Sequence, residues 1–231
     1  MAELFAWEPG RALKLYRADV PAAWVLAEAE RTRLAAEAGL PAPRVYGTLE
    51  HDGRTGIGLE WIDGANLNQT WASRPGPTGA RTHRRAERHA ALHAGAIPAL
   101  PAQRSGQIGR IERAPGLGAE ARARALAVLA RLPDGDRVCH NDLHPENVLL
   151  GPRGPVIIDW MDANRGNPLA DVGRTLLILR GWPYTTPNPA ERLIRRGVIA
   201  LCTRAYLARY LALRGLPKPI PTALVHNVRN S

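Results

Sequence analysis

Between His140 and Asp159 the chain gathers a set of side chains suited to handling phosphate: Asp142, Asn147 five positions later, and Asp159 after a short apolar hairpin pattern from Val148 to Ile158. Moving a phosphoryl group needs few protein parts. A carboxylate must accept or orient the proton of the attacking hydroxyl. Hard oxygen ligands must hold the Mg²⁺ that bridges the nucleotide phosphates, and a cation must sit on those phosphates. Asp142 suits the first role, and Asn147 and Asp159 suit the second. The five-residue step lets one loop present both Asp142 and Asn147, and the hairpin returns Asp159 to the same place. Turn-capping polar residues would explain any one of these positions, but not all three at these offsets.

The run from His140 to Leu150 (HNDLHPENVLL), followed by Ile157-Ile158-Asp159-Trp160, resembles the catalytic loop of aminoglycoside phosphotransferases and choline-kinase-like enzymes. That loop is itself similar to the protein-kinase pattern His-Arg-Asp-x-x-x-x-Asn followed by Asp-Phe-Gly. The resemblance implies a protein-kinase-like α+β fold of two lobes, with a small β-rich N-lobe and a larger helical C-lobe. It also implies ATP or GTP with Mg²⁺, and a hydroxyl of a small molecule as acceptor. On it, Asp142 is the catalytic base and Asn147 and Asp159 are the Mg²⁺ ligands. His144 falls where protein kinases carry a phosphate-contacting lysine, so it would touch the transferring phosphate or the substrate. His140 would orient the loop without taking part in the chemistry. Asn141 stands where the family generally has glycine and is expected to crowd the loop.

The same resemblance extends from about Glu3 to Tyr210. Gly166-Asn167-Pro168-Leu169-Ala170-Asp171 is similar to a segment whose aspartate braces the catalytic loop, although Asp171 at a helix start can equally stabilise its own helix. Lys14, in the alternating run Arg11 to Tyr16, resembles the lysine that meets the α- and β-phosphates. Its carboxylate partner on the next helix is Glu28 in the family's register, with Glu30 as the neighbouring alternative. Leu59 to Gly64 matches the hinge, where backbone groups of Glu60 and Ile62 would meet the adenine. The strand and Gly-rich phosphate loop that precede this point in relatives are not found before Met1. The expectation is either a start further upstream or a shortened member, and the latter leaves open a non-catalytic, nucleotide-binding relative.

The elements that must position these residues can be traced by pattern. Leu4–Trp7, Arg11–Tyr16, Val45–Glu50 and Thr55–Ile62 read as strands, with a helix from Val20-Pro21 to about Ala38. His51-Asp52-Gly53-Arg54 reads as a tight turn. Residues 73–79 read as a loop, 81–95 as helix and 96–118 as irregular, being rich in Pro and Gly. Ala119–Leu132 reads as helix. Val138-Cys139, Val148–Leu150 and Pro155–Trp160 form a β island, and Leu169–Arg180 and Ala190–Arg214 are helices. In the last helix, Ile194, Val198, Leu201, Ala205 and Ala208 share one face. The expected division is a nucleotide-binding lobe over 1–62 and a helical lobe with the catalytic loop over 63–231.

Composition narrows the alternatives. Hydrophobic residues make up 45% of 231, enough for a sizeable core. No apolar run approaches a membrane span, and MAELFAWEPG does not read as a signal peptide. With two cysteines and no disulfide framework, a cytoplasmic protein is expected. The net charge of +10 comes from arginines scattered along the chain, with no basic stripe or tail, so nucleic acid is not implied. Asp162 reads as solvated or substrate-facing. His89 and His93, with His83 nearby, lack a third ligand at metal spacing and are expected at the lobe surface. The short stretch from Asp159 to Asp171 leaves no room for a protein-kinase activation loop. The acceptor stays open among sugars, amino alcohols and antibiotics, and a polycationic one would need a local acidic pocket.

Overall fold

Along Arg11–Tyr16, Ala12 and Tyr16 are buried on one face and Leu15 on the other, while Lys14, on the face of Ala12 and Tyr16, stays partly covered, the pattern of a strand inside a sheet with both faces packed. This strand, β2 (Arg11–Tyr16), belongs to a computed structural model that describes residues 2–67, 69, 86–181 and 188–217. It pairs antiparallel with β1 (Ala2–Glu8) on one side and β4 (Arg54–Glu60) on the other, and β3 (Val45–His51) completes the order β1-β2-β4-β3. Asp52 and Gly53 both take positive φ, 48° and 69°, as the tight β3–β4 turn requires. Between β2 and β3 runs α1 (Ala22–Glu37), which opens after Pro21 and closes at Gly39 with φ 75°. It buries Val25, Glu28, Ala29, Thr32 and Ala35 at helical spacing.

The chain then docks onto the second half of the molecule. Ala65 O accepts from Leu150 N at 3.0 Å, and Asn66 bridges Leu149. The approach is so close that a Cβ on Gly64 would lie 2.2 Å from Leu150 O. Helical residues 86–92 form α2; the expected loop over 73–79 and the start of the expected helix, with His83, lie outside the described residues. The stretch 96–118 is not irregular throughout. It contains α3 (Gln103–Arg113), set off by Pro101 before it and Pro115-Gly116 after it. The prolines punctuate the ends and do not enter the helix, and Gly106 and Gly109 lower its propensity without breaking it. There follow α4 (Ala119–Arg131), β5 (Arg137–Cys139), a single 3₁₀ turn (Pro145–Asn147), and the hairpin β6 (Val148–Gly151) and β7 (Gly154–Ile157). β7 stops at Ile157, short of the expected Trp160, because Asp159 takes φ 65° and leaves the strand conformation. A short β8 (Asn164–Gly166), not foreseen, pairs with β5.

Two more helices follow among the described residues, α5 (Pro168–Gly181) and α6 (Pro189–Leu213). The face of α6 that carries the regularly spaced aliphatic residues is not its buried one. Leu201 is 68% exposed and Val198 is exposed too, whereas Cys202, Thr203, Tyr206, Tyr210 and Leu211 are buried; the Ile194 side chain lies outside the description. Aliphatic spacing misled because the buried face is built on two tyrosines, whose hydroxyls need partners that the sequence does not display. The central core beneath the His140–Asn147 loop joins Leu92, Leu100, Val138, Leu143, Ile157 and Trp160, and Ala35 of α1 reaches into it. Among the described residues, no helix is long and apolar enough to cross a membrane.

Candidate active site

The loop between β5 and the 3₁₀ turn is held from below by one carboxylate. Asp171, fully buried at the start of α5, accepts the His140 N–H at 2.7 Å on Oδ2 and the Asn141 N–H at 2.8 Å on Oδ1. It therefore serves the loop and not its own helix alone. Burial by itself would raise its pKa, but His89 and His93 beside it outweigh that and hold it well below the usual carboxylate value. Neither histidine is at the surface, contrary to expectation; both are fully buried. His93 Nε2 lies 3.1 Å and His89 Nε2 2.9 Å from Asp171 Oδ2, the latter off line for a hydrogen bond. The opposite ring nitrogens face the Tyr206 and Tyr210 hydroxyls of α6. Asp171, remote in sequence, is the third group that the two histidines lacked, and all three ligand atoms lie within 4.8 Å of one another. Hydrogen bonds to tyrosines and backbone account for most of these atoms without a metal.

Asn141 does not crowd the loop. It adopts φ 61°, a left-handed conformation that asparagine tolerates better than most side chains. Its amide is put to use, accepting from Gln103 Nε2 at 2.9 Å and donating to the Asp162 carbonyl at 3.0 Å and the Cys139 carbonyl at 3.2 Å. His140 is fully buried against Trp160, with ring centroids 5.0 Å apart. Its Nδ1 accepts from Asp142 N at 3.3 Å, so Nε2 carries the proton that meets Ile158 O at 3.1 Å. Burial lowers its pKa, which favours this neutral form. Cys139, just before it, is buried too, and burial pushes its thiol up.

Asp142 is half-buried. Its Oδ2 receives the Asn147 side-chain amide at 3.0 Å, and His144 Nε2 lies 3.4 Å away. Burial opposes its ionisation, but the His144 hydrogen bond, the adjoining His144 and His140 rings and the Arg174 guanidinium prevail and lower its pKa. Because Asn147 turns its nitrogen to Asp142, its amide oxygen faces the other way and is open to a hard cation. Ile158 N donates to Asn147 O at 3.0 Å, which sets Asp159 beside it. Two oxygen donors of this kind, adjacent and partly polar in surroundings, fit Mg²⁺ by ligand type.

From the other side of the cleft, Lys14 Nζ reaches Glu28 Oε1 at 2.6 Å and Asp159 Oδ1 at 3.4 Å. Glu30 does not compete, since it faces solvent and pairs with Arg33. The second oxygen of Glu28, 2% exposed, takes the Tyr16 hydroxyl. A cavity of about 420 Å³ opens here, walled by Lys14, Glu28, Asp159 and the Leu59–Ile62 segment. At the segment expected to be the hinge, the Glu60 N–H is already given to Arg44 O at 2.8 Å, which leaves its carbonyl; no partner for the Ile62 N–H is found among the described residues. The Glu60 side chain pairs with Arg153.

Sequence reasoning missed four contributors. Tyr16 shares a strand face with Lys14 through the two-residue period, and Arg31 lies one turn from Glu28, so both could have been found. Gln103 and Arg174, whose Nε donates to Asn141 O at 3.2 Å, come from distant helices with no local signal.

Among solved structures, the fold is similar to an aminoglycoside-3'-phosphotransferase of type VIII, with TM-score 0.62 at 23% identity over 97% of this chain and 90% of that one. It is also similar to a putative fructosamine-3-kinase from Haemophilus somnus 129PT, with TM-score 0.52 at 17% identity over 96% and 79%. A third likeness is to APH(2")-IIa in its gentamicin complex, with TM-score 0.52 at 16% identity over 92% and 77%. The β-sheet unit and the helical part are thus the two lobes of a protein-kinase-like α+β fold. No curated protein matches the sequence. Residues 6–219, nearly the whole chain, match the model of the phosphotransferase enzyme family, and the chain belongs to that family.

Proposed function

We propose that this chain transfers the γ-phosphate of ATP, or of GTP, to a hydroxyl of a small molecule. The observation that carries the reading is Lys14, which joins Glu28 of the β-rich lobe to Asp159 of the helical lobe at the edge of the 420 Å³ cavity. A lone ammonium between two carboxylates is the point charge that the nucleotide phosphates would meet. Residues 1–62 would hold the nucleotide, with the Glu60 and Ile62 backbone against the base, and residues 63–231 would carry the catalytic loop. Asn147 Oδ1 and Asp159 would hold Mg²⁺, which when bound neutralises and aligns the phosphates. The acceptor oxygen attacks the γ-phosphorus, the bond to the bridging oxygen breaks, ADP leaves, and the hydroxyl proton passes to Asp142. The depressed pKa of Asp142 makes it a weak base that is ionised throughout the neutral range. That suits a loose transition state, in which orienting the hydroxyl matters more than early proton removal. His144, against Asp142, would steady the carboxylate and lie near the transferring group.

Asp142→Ala should lower kcat by at least about 10²-fold, the scale of a lost general base, with an unchanged circular dichroism spectrum. Undiminished ADP and phosphoryl-product formation in that variant would refute the assignment.

A further inference from the structure

Among the described residues, Arg31 carries a positive charge without an ion-pair partner beside the His140–Asn147 loop. It stands one turn after Glu28 on α1, and its guanidinium donates to the Met161 carbonyl, two residues beyond Asp159. Among the described residues that is its single hydrogen bond, and no carboxylate sits within ion-pair distance. Burial lowers its pKa, with Asp162 and Glu28 opposing and Arg110 adding to the effect, yet a guanidinium stays charged at any physiological pH. Arg31 and Arg110 face a cavity of about 190 Å³, whose wall includes Asn141 of the catalytic loop. The one carboxylate in that wall, Asp162, is already paired with Arg110. Two guanidiniums against one carboxylate leave one positive charge over, and Arg174 adds another beside Asn141.

The sequence closes the remaining route to an acidic pocket. All 21 Asp and Glu residues fall in the described segments. The remaining stretches, 70–85, 182–187 and 218–231, contain none, but they do contain Arg74, Arg81, Arg84, Arg85, Lys218 and Arg229. None of their side chains carries a negative charge. A polycation would be repelled here, and the cavity is smaller than the roughly 300 Å³ at which drug-sized pockets begin.

We propose that the acceptor is a small hydroxyl compound bearing an oxyanion, a carboxylate or a phosphate. Arg31 and Arg110 bind that anionic group while the hydroxyl faces Asp142. The inference rests on the phosphotransferase reading above. The chemistry is the transfer already described: the acceptor oxygen bonds to the γ-phosphorus, ADP departs, and the proton goes to Asp142. Two guanidiniums supply charge-assisted, bidentate contacts that a neutral analogue cannot use.

The test is a matched panel assayed with Mg²⁺ and ATP: a sugar, its sugar acid, its phosphate ester, a hydroxy acid and a polycationic aminoglycoside. The anionic compounds should exceed their neutral counterpart in kcat/KM by roughly tenfold or more, equivalent to about 1.4 kcal/mol, with the aminoglycoside lowest. Comparing the sugar acid with the phosphate ester shows which oxyanion is preferred. Arg31→Gln and Arg110→Gln should each raise KM for the anionic acceptor while moving KM for ATP far less, and Arg31→Lys should recover part of the loss. Arg110 is 62% exposed, so its variant keeps the test valid if Arg31→Gln does not fold. Preference for the neutral or polycationic compound overturns the proposal, as does an anion preference that survives in both glutamine variants. If no anionic compound reacts or competes, the proposal fails. ATP hydrolysis that still depends on Asp142 then shows that the phosphotransferase reading stands without it.

Discussion

Lys14 does several jobs with one charge, and the choice of lysine is informative. Of 31 basic residues, all but Lys14 and Lys218 are arginine. A guanidinium is longer and donates in one plane, so it would meet Glu28 and Asp159 differently, whereas an ammonium donates in three directions to partners at 2.6 and 3.4 Å. Lys14→Ala should raise KM for ATP by about 10- to 100-fold, the equivalent of one charge-assisted contact, and Lys14→Arg should fail to restore it; initial rates over an ATP series check both. Lys14 was legible in the sequence because strand alternation is a local property, as is the five-residue spacing that marked Asp142 and Asn147. Asn141 shows the limit of such reading. Its identity predicted crowding, but its φ of 61° and its contact with Gln103 from α3 turn the side chain into a tie.

At the level of elements, the His140–Asn147 loop depends on α2, α5 and α6 through the His89, His93 and Asp171 cluster, and that dependence has a pH signature. His93 is lowered from 6.5 to about 4, chiefly by burial and then by His89. The unfolded chain therefore binds the extra proton first, so stability is full above about 6.5 and falls as pH drops toward 4. A shift of this size corresponds to about 3 kcal/mol. Asp171, with its pKa depressed, adds a second loss only below its ordinary value of 3.8. Urea midpoints measured from pH 7.5 to 4 should trace the first decline, and His93→Gln should flatten it. A second element-level prediction concerns the junction at Gly64. Gly64→Ala would place a methyl 2.2 Å from Leu150 O, forcing backbone apart at a cost of about 1–3 kcal/mol, readable as a lower thermal midpoint. Neither feature could be read in advance. Strands, α1 and the β6–β7 hairpin follow from periodicity and turn residues. The buried face of α6 follows from tyrosine hydroxyls meeting histidines 117 positions away, which no window along the chain can contain.

At the scale of the whole molecule, the two lobes meet where Gly64 packs against Leu150 and where Lys14 pairs with Asp159. A ligand that bridges them should stabilise both at once. At Mg²⁺-ATP concentrations 100-fold above Kd, mass action adds about 2.7 kcal/mol, which for a chain of this size raises Tm by roughly 5–10 °C. EDTA should remove most of that rise, and a thermal melt unaffected by either would contradict the assignment of the cavity to a nucleotide.

Cys139 turns the burial around the loop into a measurable rate. Its thiol lies directly before His140, shielded from solvent, and burial disfavours its thiolate, so a maleimide can react only when the strand leading into the catalytic loop opens. The other thiol in the chain, Cys202, belongs to α6. Labelling the two in parallel would compare how often each part of the C-lobe exposes itself, without any mutation or bound ligand. Nucleotide should slow modification of Cys139 more than that of Cys202.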